Sequence, residues 1–135
     1  MVNSDVAGFG DTLMYSEHPG ESFAPVVRAV RRVCAEAAQA CVGYPSYPPS
    51  DDRVFTKLGV PNVSVGFQRR TGAHQMWLAF NGAGETLAKG FLPEVFRVIH
   101  TPADNMTLIE EPTLERGADL YEQIIRQLDR DLATR

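Results

Sequence analysis

The sequence predicts a layered α/β fold, and three observations predict it. Residues 21–41 and 113–132 carry apolar side chains at the i, i+3, i+4, i+7 spacing that gives a helix one buried face. Residues 12–16 and 60–67 are short runs of β-forming side chains bounded by Gly and Pro turns. Strand-like and helix-like segments alternate, which argues helices packed on a sheet. With 135 residues, 44% hydrophobic and 22% charged, one domain spanning 1–135 is expected. A chain of this size buries roughly two thirds of its unfolded surface, so a core forms without staples.

Each element follows from local chemistry. Residues 1–6 read as the end of a strand, broken by Gly8, Gly10 and Asp11. Thr12 to Ser16 form a second strand, closed by His18-Pro19-Gly20. The first long helix buries Phe23, Val26, Val27, Val30, Val33, Cys34, Ala37 and Cys41, and Pro25 fits only its first turn. Cys34 and Cys41, seven apart on that helix, would stand about 10.5 Å apart, too far for a disulfide. They therefore read as core residues, reduced as in cytoplasm. Residues 43–50, with three prolines, read as a loop. Residues 51–58 read as a short helix capped by Ser50 and stopped by Gly59. Residues 68–72 read as a polar turn, and 74–80 as either strand or helix. Residues 81–93 read as a long loop. Residues 95–99 read as a strand that delivers His100 into a turn-rich segment, 100–105. The closing helix carries the stripe Leu114, Ala118, Tyr121, Ile125, Leu128 and Leu132, with Pro112 near its start.

Composition excludes several function classes. A net charge of -4 gives no electrostatic reason to expect nucleic acid. No run of about 18 apolar residues marks a membrane span. Met1 to Asp5 lack a basic n-region and an apolar h-region, so no signal peptide is expected and the chain as it stands reads as cytoplasmic. There is no Gly-x-Ser-x-Gly elbow, no phosphate-binding Gly-Lys-Ser/Thr loop and no His-Glu-x-x-His pair.

Four places can carry chemistry. Asp5 stands at a strand end before a glycine-rich turn, where it is either a zinc ligand or a turn-initiating carboxylate. Asp51 and Asp52 follow Ser50 in a first helical turn, where they either favour the helix dipole or point one carboxylate into a site. His100, held by Thr101-Pro102-Ala103-Asp104, is a zinc ligand or a hydrogen-bonded turn histidine, with Asp104 as its partner or as the pin of the turn. His74, near Trp77 and Phe80, lines a pocket or simply packs, and His18 reads as solvent-exposed.

In order, Asn-Ser-Asp-Val-Ala-Gly (3–8), Pro-Ser-Asp-Asp-Arg-Val-Phe with Gly-Val-Pro-Asn-Val-Ser-Val (49–65), His-Thr-Pro-Ala-Asp-Asn (100–105) and a closing amphipathic helix resemble one family. It is the C-terminal half of the dizinc exopeptidases related to bacterial leucyl aminopeptidases, whose fold glutaminyl cyclases share. The resemblance implies a three-layer α/β/α sandwich with a mixed sheet, incomplete at its N-terminal side. It implies that Asp5 and His100 ligate different zinc ions, that Asp51 shapes the active site, and that Asp104 supports His100. Asp52 stands where the family has histidine, and Ile99 where several members have tyrosine. The family's first histidine ligand, its bridging aspartate and its Glu-Glu pair have no counterpart before Asp5. Glu110-Glu111 follows the last motif and does not match that pair.

The resemblance therefore implies part of a metallopeptidase that hydrolyses N-terminal peptide bonds when complete and is inactive alone. The complete site takes two zinc ions and a peptide or aminoacyl substrate. The other readings are a non-catalytic remnant that captures a partner or self-associates through an open sheet edge, and a small enzyme with one metal on Asp5, His100 and His74.

Overall fold

The computed structural model describes residues 1–82 and 91–133. The loop expected at 81–93 thus falls mostly outside the described residues. Four strands form one mixed sheet: β1 (Val2–Ser4), β2 (Thr12–Ser16), β3 (Cys41–Tyr44) and β4 (Val63–Gln68), in the order β1-β4-β2-β3. β1 runs parallel to β4 and β2 parallel to β3, while β2 and β4 are antiparallel. The helices are α1 (Ala24–Glu36), α2 (Asp52–Lys57), α3 (Arg70–Asn81), α4 (Val95–Val98) and α5 (Glu111–Ala133), with a 3-10 turn at Met106–Leu108.

Strand alternation sorts the core into two layers of contact. Leu13, Tyr15, Val63, Val65 and Phe67 point to one face and pack on Val26, Val27, Val30 and Val33 of α1 and Leu120 and Ile124 of α5. Met14 and Tyr44 point the other way and pack on Ala73 and Met76 of α3 and Val95 of α4. The sheet is thus covered on both sides, and the expected α/β class holds. Every residue of β2 and β4 is buried, as central strands require. Two hydrogen bonds fasten α3 to β3 and its flank: the Tyr44 hydroxyl donates to the Ala73 carbonyl, and Trp77 Nε1 donates to the Gly43 carbonyl at 3.1 Å. Among the described residues, no helix is long and apolar enough to cross a membrane.

Several expectations are corrected. α1 stops at Glu36, Ala38 turns the chain with φ 49, and Cys41 opens β3 instead of ending the helix. The reversal brings the Cα atoms of Cys34 and Cys41 to 6.2 Å, and the two form a disulfide. The inference of reduced cysteines from helical spacing therefore fails. Residues 95–99 coil into α4 because Val95, Val98 and Ile99 share one side at helical spacing, and Ile99 N–H donates to the Val95 carbonyl at 2.8 Å. The ambiguous stretch 74–80 is helical. On α5 the buried face is Thr113, Gly117, Leu120, Ile124 and Gln127, whereas Leu114, Ile125 and Leu132 are exposed. Gly117 sets that rotation: a Cβ there would lie 3.3 Å from Phe67 Cε2, so the helix approaches the sheet on its glycine side.

The disulfide closes a short loop between α1 and β3, worth roughly 2 kcal/mol by loop entropy. Reductant, or Cys41→Ser, is expected to lower the unfolding free energy by about that amount in urea denaturation followed by circular dichroism. An unchanged midpoint under reductant would show that the bridge does not form.

Candidate functional site

The chain leaves β1 at Ser4 and stays in register with β4 for two more residues. Asp5 N–H donates to the Val65 carbonyl at 3.0 Å, and Phe67 N–H donates to the Val6 carbonyl at 2.9 Å. Gly66 makes this possible. A Cβ there would stand 2.3 Å from the Asp5 carbonyl oxygen, so only glycine lets the two backbones approach this closely. Val6 sits at φ 56, a conformation that costs a β-branched residue roughly 1–2 kcal/mol.

The carboxylate of Asp5 is steered by neighbours. Ser50 Oγ donates to Asp5 Oδ2 at 3.1 Å and accepts from Asn3 Nδ2 at 2.9 Å. Ser50 therefore does not cap α2; Asp51 occupies that position with no side-chain cap bond. Asp51 is exposed, and the buried aspartate is Asp52, whose Oδ2 lies 3.2 Å from His18 Nε2. Sequence reasoning placed His18 in solvent, yet its imidazole is mostly enclosed and packs beside the Phe23 ring. Tyr47 was missed altogether. Burial, reinforced by neighbouring Tyr44 and Asp5, pushes its phenol well above the usual range, so it is a neutral donor near the Asp5 strand end.

Asp5 opens onto a cleft of about 260 Å3. Its walls include Val6 and Phe9 from the β1–β2 loop, Val95 and Val98 from α4, Ile99 just after it, and Asp104 from the turn beyond. Glu94 adds a third carboxylate. The structure thus brings the first and last sequence motifs to one place. His100 follows Ile99 directly; it is exposed, and sits at φ 62. Asp104 Oδ2 accepts from its backbone N–H at 3.3 Å, so Asp104 pins the turn. Thr101 Oγ1 donates to the Val98 carbonyl at 2.6 Å and tightens the same turn. His74 lies apart on α3, exposed, with Nδ1 2.8 Å from the Arg70 carbonyl.

An apolar cleft edged by three carboxylates favours a cationic group with an apolar neighbour, such as an amine on a hydrocarbon side chain. A metal is a second option, and Asp5 and His100 are suitable donor types. Catalytic zinc takes three protein ligands, however, and among the described residues no three His, Cys, Asp or Glu side chains are placed to hold one ion. The described donors do not complete a zinc site by themselves. Comparison with family models, with curated proteins and with solved structures finds no match.

Gly66→Ala is expected to force β1 from β4 at Asp5 and cost about 1–3 kcal/mol, the range for overpacking against backbone. Urea denaturation measures the loss. An unchanged midpoint would show that the close approach is not a constraint.

Proposed function

We propose that this chain forms the distal part of a zinc-dependent, aminopeptidase-like hydrolase domain that acts at the N-terminus of peptides. The observation that carries the reading is the cleft that unites Asp5 with Ile99 and Asp104, the two residues that flank the turn carrying His100. In this reading Asp5 and His100 contribute one donor each to a metal centre, and further donors come from outside the described residues. Zinc, when bound, would polarise the peptide carbonyl and activate water. This chain's own residues bind and orient. Ser50 and Asn3 hold the Asp5 carboxylate, Asp104 holds the His100 turn, and Val95, Val98 and Ile99 receive an apolar side chain. Glu94 and Asp104 offer negative charge to a free amino terminus. Asp51 stands next to Ser50, and its part is to shape the rim on that side.

Zinc titration of the purified chain by calorimetry tests the reading. Weak binding is expected, reduced about tenfold or more by Asp5→Ala and by His100→Ala. Hydrolysis of a chromogenic aminoacyl amide is expected to be negligible. Zinc affinity untouched by both substitutions would remove the proposed donors, and robust turnover by the chain alone would overturn the incomplete centre.

One observation favours a second reading, a self-associating module. α2 and the residue that follows it expose Val54 and Leu58 at 62% and 73%, with Phe55 and Val60 beside them, and Ser50 ties this flank to edge strand β1. Sedimentation equilibrium would then show association that Leu58→Lys weakens. A monomer at all concentrations would dismiss it.

A further inference from the structure

Two triplets of the sequence have the pattern Asn-x-Ser/Thr without an intervening proline: Asn62-Val63-Ser64 and Asn105-Met106-Thr107. Such triplets are acceptors of N-linked sugar. The fold treats the two oppositely. Asn62 is fully buried, and its Nδ2 donates to the Thr56 hydroxyl and to the Val60 carbonyl, each at 2.9 Å. Val63 and Ser64 are buried in β4. A sugar on Asn62 is incompatible with this packing. Asn105, Met106 and Thr107 are all exposed, between α4 and α5.

The exposed triplet is also arranged for the chemistry. Asn105 Oδ1 accepts from the Thr107 N–H at 3.0 Å and from the Thr107 hydroxyl at 2.6 Å. An amide nitrogen is a poor nucleophile because its lone pair is shared with the carbonyl. Two donors on Oδ1 draw electron density towards the oxygen and make an Nδ2 proton easier to lose. Among the described residues Nδ2 donates only to backbone, to the Pro102 carbonyl at 3.3 Å and the Ala103 carbonyl at 3.1 Å. One of its two N–H groups can be replaced while the other keeps the turn. A second, independent observation is the Cys34–Cys41 disulfide, because disulfides persist in the oxidising compartments where secreted chains are processed. Beside Asn105, Met106 is 80% exposed, more than any other large apolar side chain among the described residues. A bulky, hydrated sugar on the neighbouring residue would shield it.

We propose that Asn105 is an N-glycosylation site. The donor class is an oligosaccharide carried on a lipid diphosphate and presented by a membrane-bound transferase. A bond forms between Nδ2 and the anomeric carbon of the sugar. The bond from that carbon to the diphosphate oxygen breaks, and the lipid diphosphate leaves with its electron pair. Nδ2 gives up one proton to the transferase and stays an amide with one N–H. Nothing is oxidised or reduced. The assignment stands independently of the hydrolase reading, because it uses neither Asp5 nor His100.

Mass spectrometry of the full chain isolated from the cells that make it tests the assignment. The intact mass is expected to exceed the 14.9 kDa of the polypeptide by that of an oligosaccharide. Peptide N-glycosidase is expected to remove the excess and convert Asn105 to aspartate. Made in the same cells, Asn105→Gln and Thr107→Val should each lose the sugar entirely, and Thr107→Ser should retain it. Thr107→Val keeps the backbone bond to Asn105 and removes only the hydroxyl, and circular dichroism checks that the fold is kept. An intact mass equal to that of the polypeptide would overturn the proposal. So would sugar that survives Asn105→Gln, or sugar mapped to Asn62.

Discussion

The carboxylate of Glu110 is the joint on which the Asp5 cleft depends. Oε2 accepts from the Gly10 N–H at 3.1 Å, and Oε1 accepts from Arg69 at 2.9 Å. The backbone N–H of the same residue donates to the Gly8 carbonyl at 2.8 Å. Thr113 completes the joint by donating to the Gly10 carbonyl at 2.7 Å. One residue thus ties the β1–β2 loop, the start of α3 and the start of α5. As an ion pair, the exposed Arg69–Glu110 contact contributes little to stability. Its importance is geometric: it holds Phe9 under the Arg69 guanidinium, and Phe9 is a wall of that cleft. The sequence marks Glu110-Glu111 only as the opening of a helix, because a carboxylate that reaches back 100 residues has no local pattern.

What was legible in the sequence was whatever local chemistry determines. β2 falls on the five residues expected of it, because a short run, Thr-Leu-Met-Tyr-Ser, closed on both sides by turn residues has few alternatives. The start of α1 follows from Pro25, and the face it buries from its valines. Its end is illegible because an alanine, not a glycine, takes the left-handed position that stops it. Without that stop the cysteine spacing was read along a helix that is no longer there. The rotation of α5 is hidden for a related reason. Periodicity ranks Leu114 and Ile125 above Gly117, but close approach to Phe67 favours the residue with no side chain.

The site divides in the same way. The chain breaks that carry Asp5, His100 and Asp104 could be placed from local sequence, since the residues of each are contiguous. The roles of Asp51 and Asp52 could not, since burial of one or the other depends on His18, more than thirty residues away. Tyr47 gave no signal. It lies in a proline-rich stretch that reads as loop, and its significance comes only from what surrounds it after folding.

Orientation of the two proposed donors rests on the backbone. Asp5 and His100 are exposed, and the Ser50 hydroxyl bond is what steers the Asp5 carboxylate itself. The chain beneath them is held in left-handed conformations at Val6, next to Asp5, and at His100 itself. Neither is glycine, so each costs energy that the fold must offset elsewhere. At Val6 the offset is the Phe67 N–H bond and contact with Tyr44, Met76 and their neighbours. At His100 it is the Asp104 carboxylate and the Thr101 hydroxyl, which close the turn on both sides. A glycine would relieve the strain at His100 but would remove the imidazole. Strain kept at one wall of the cleft and in the turn beside the other, by hydrogen bonds placed to keep it, is the arrangement expected where the direction of a side chain matters more than its packing.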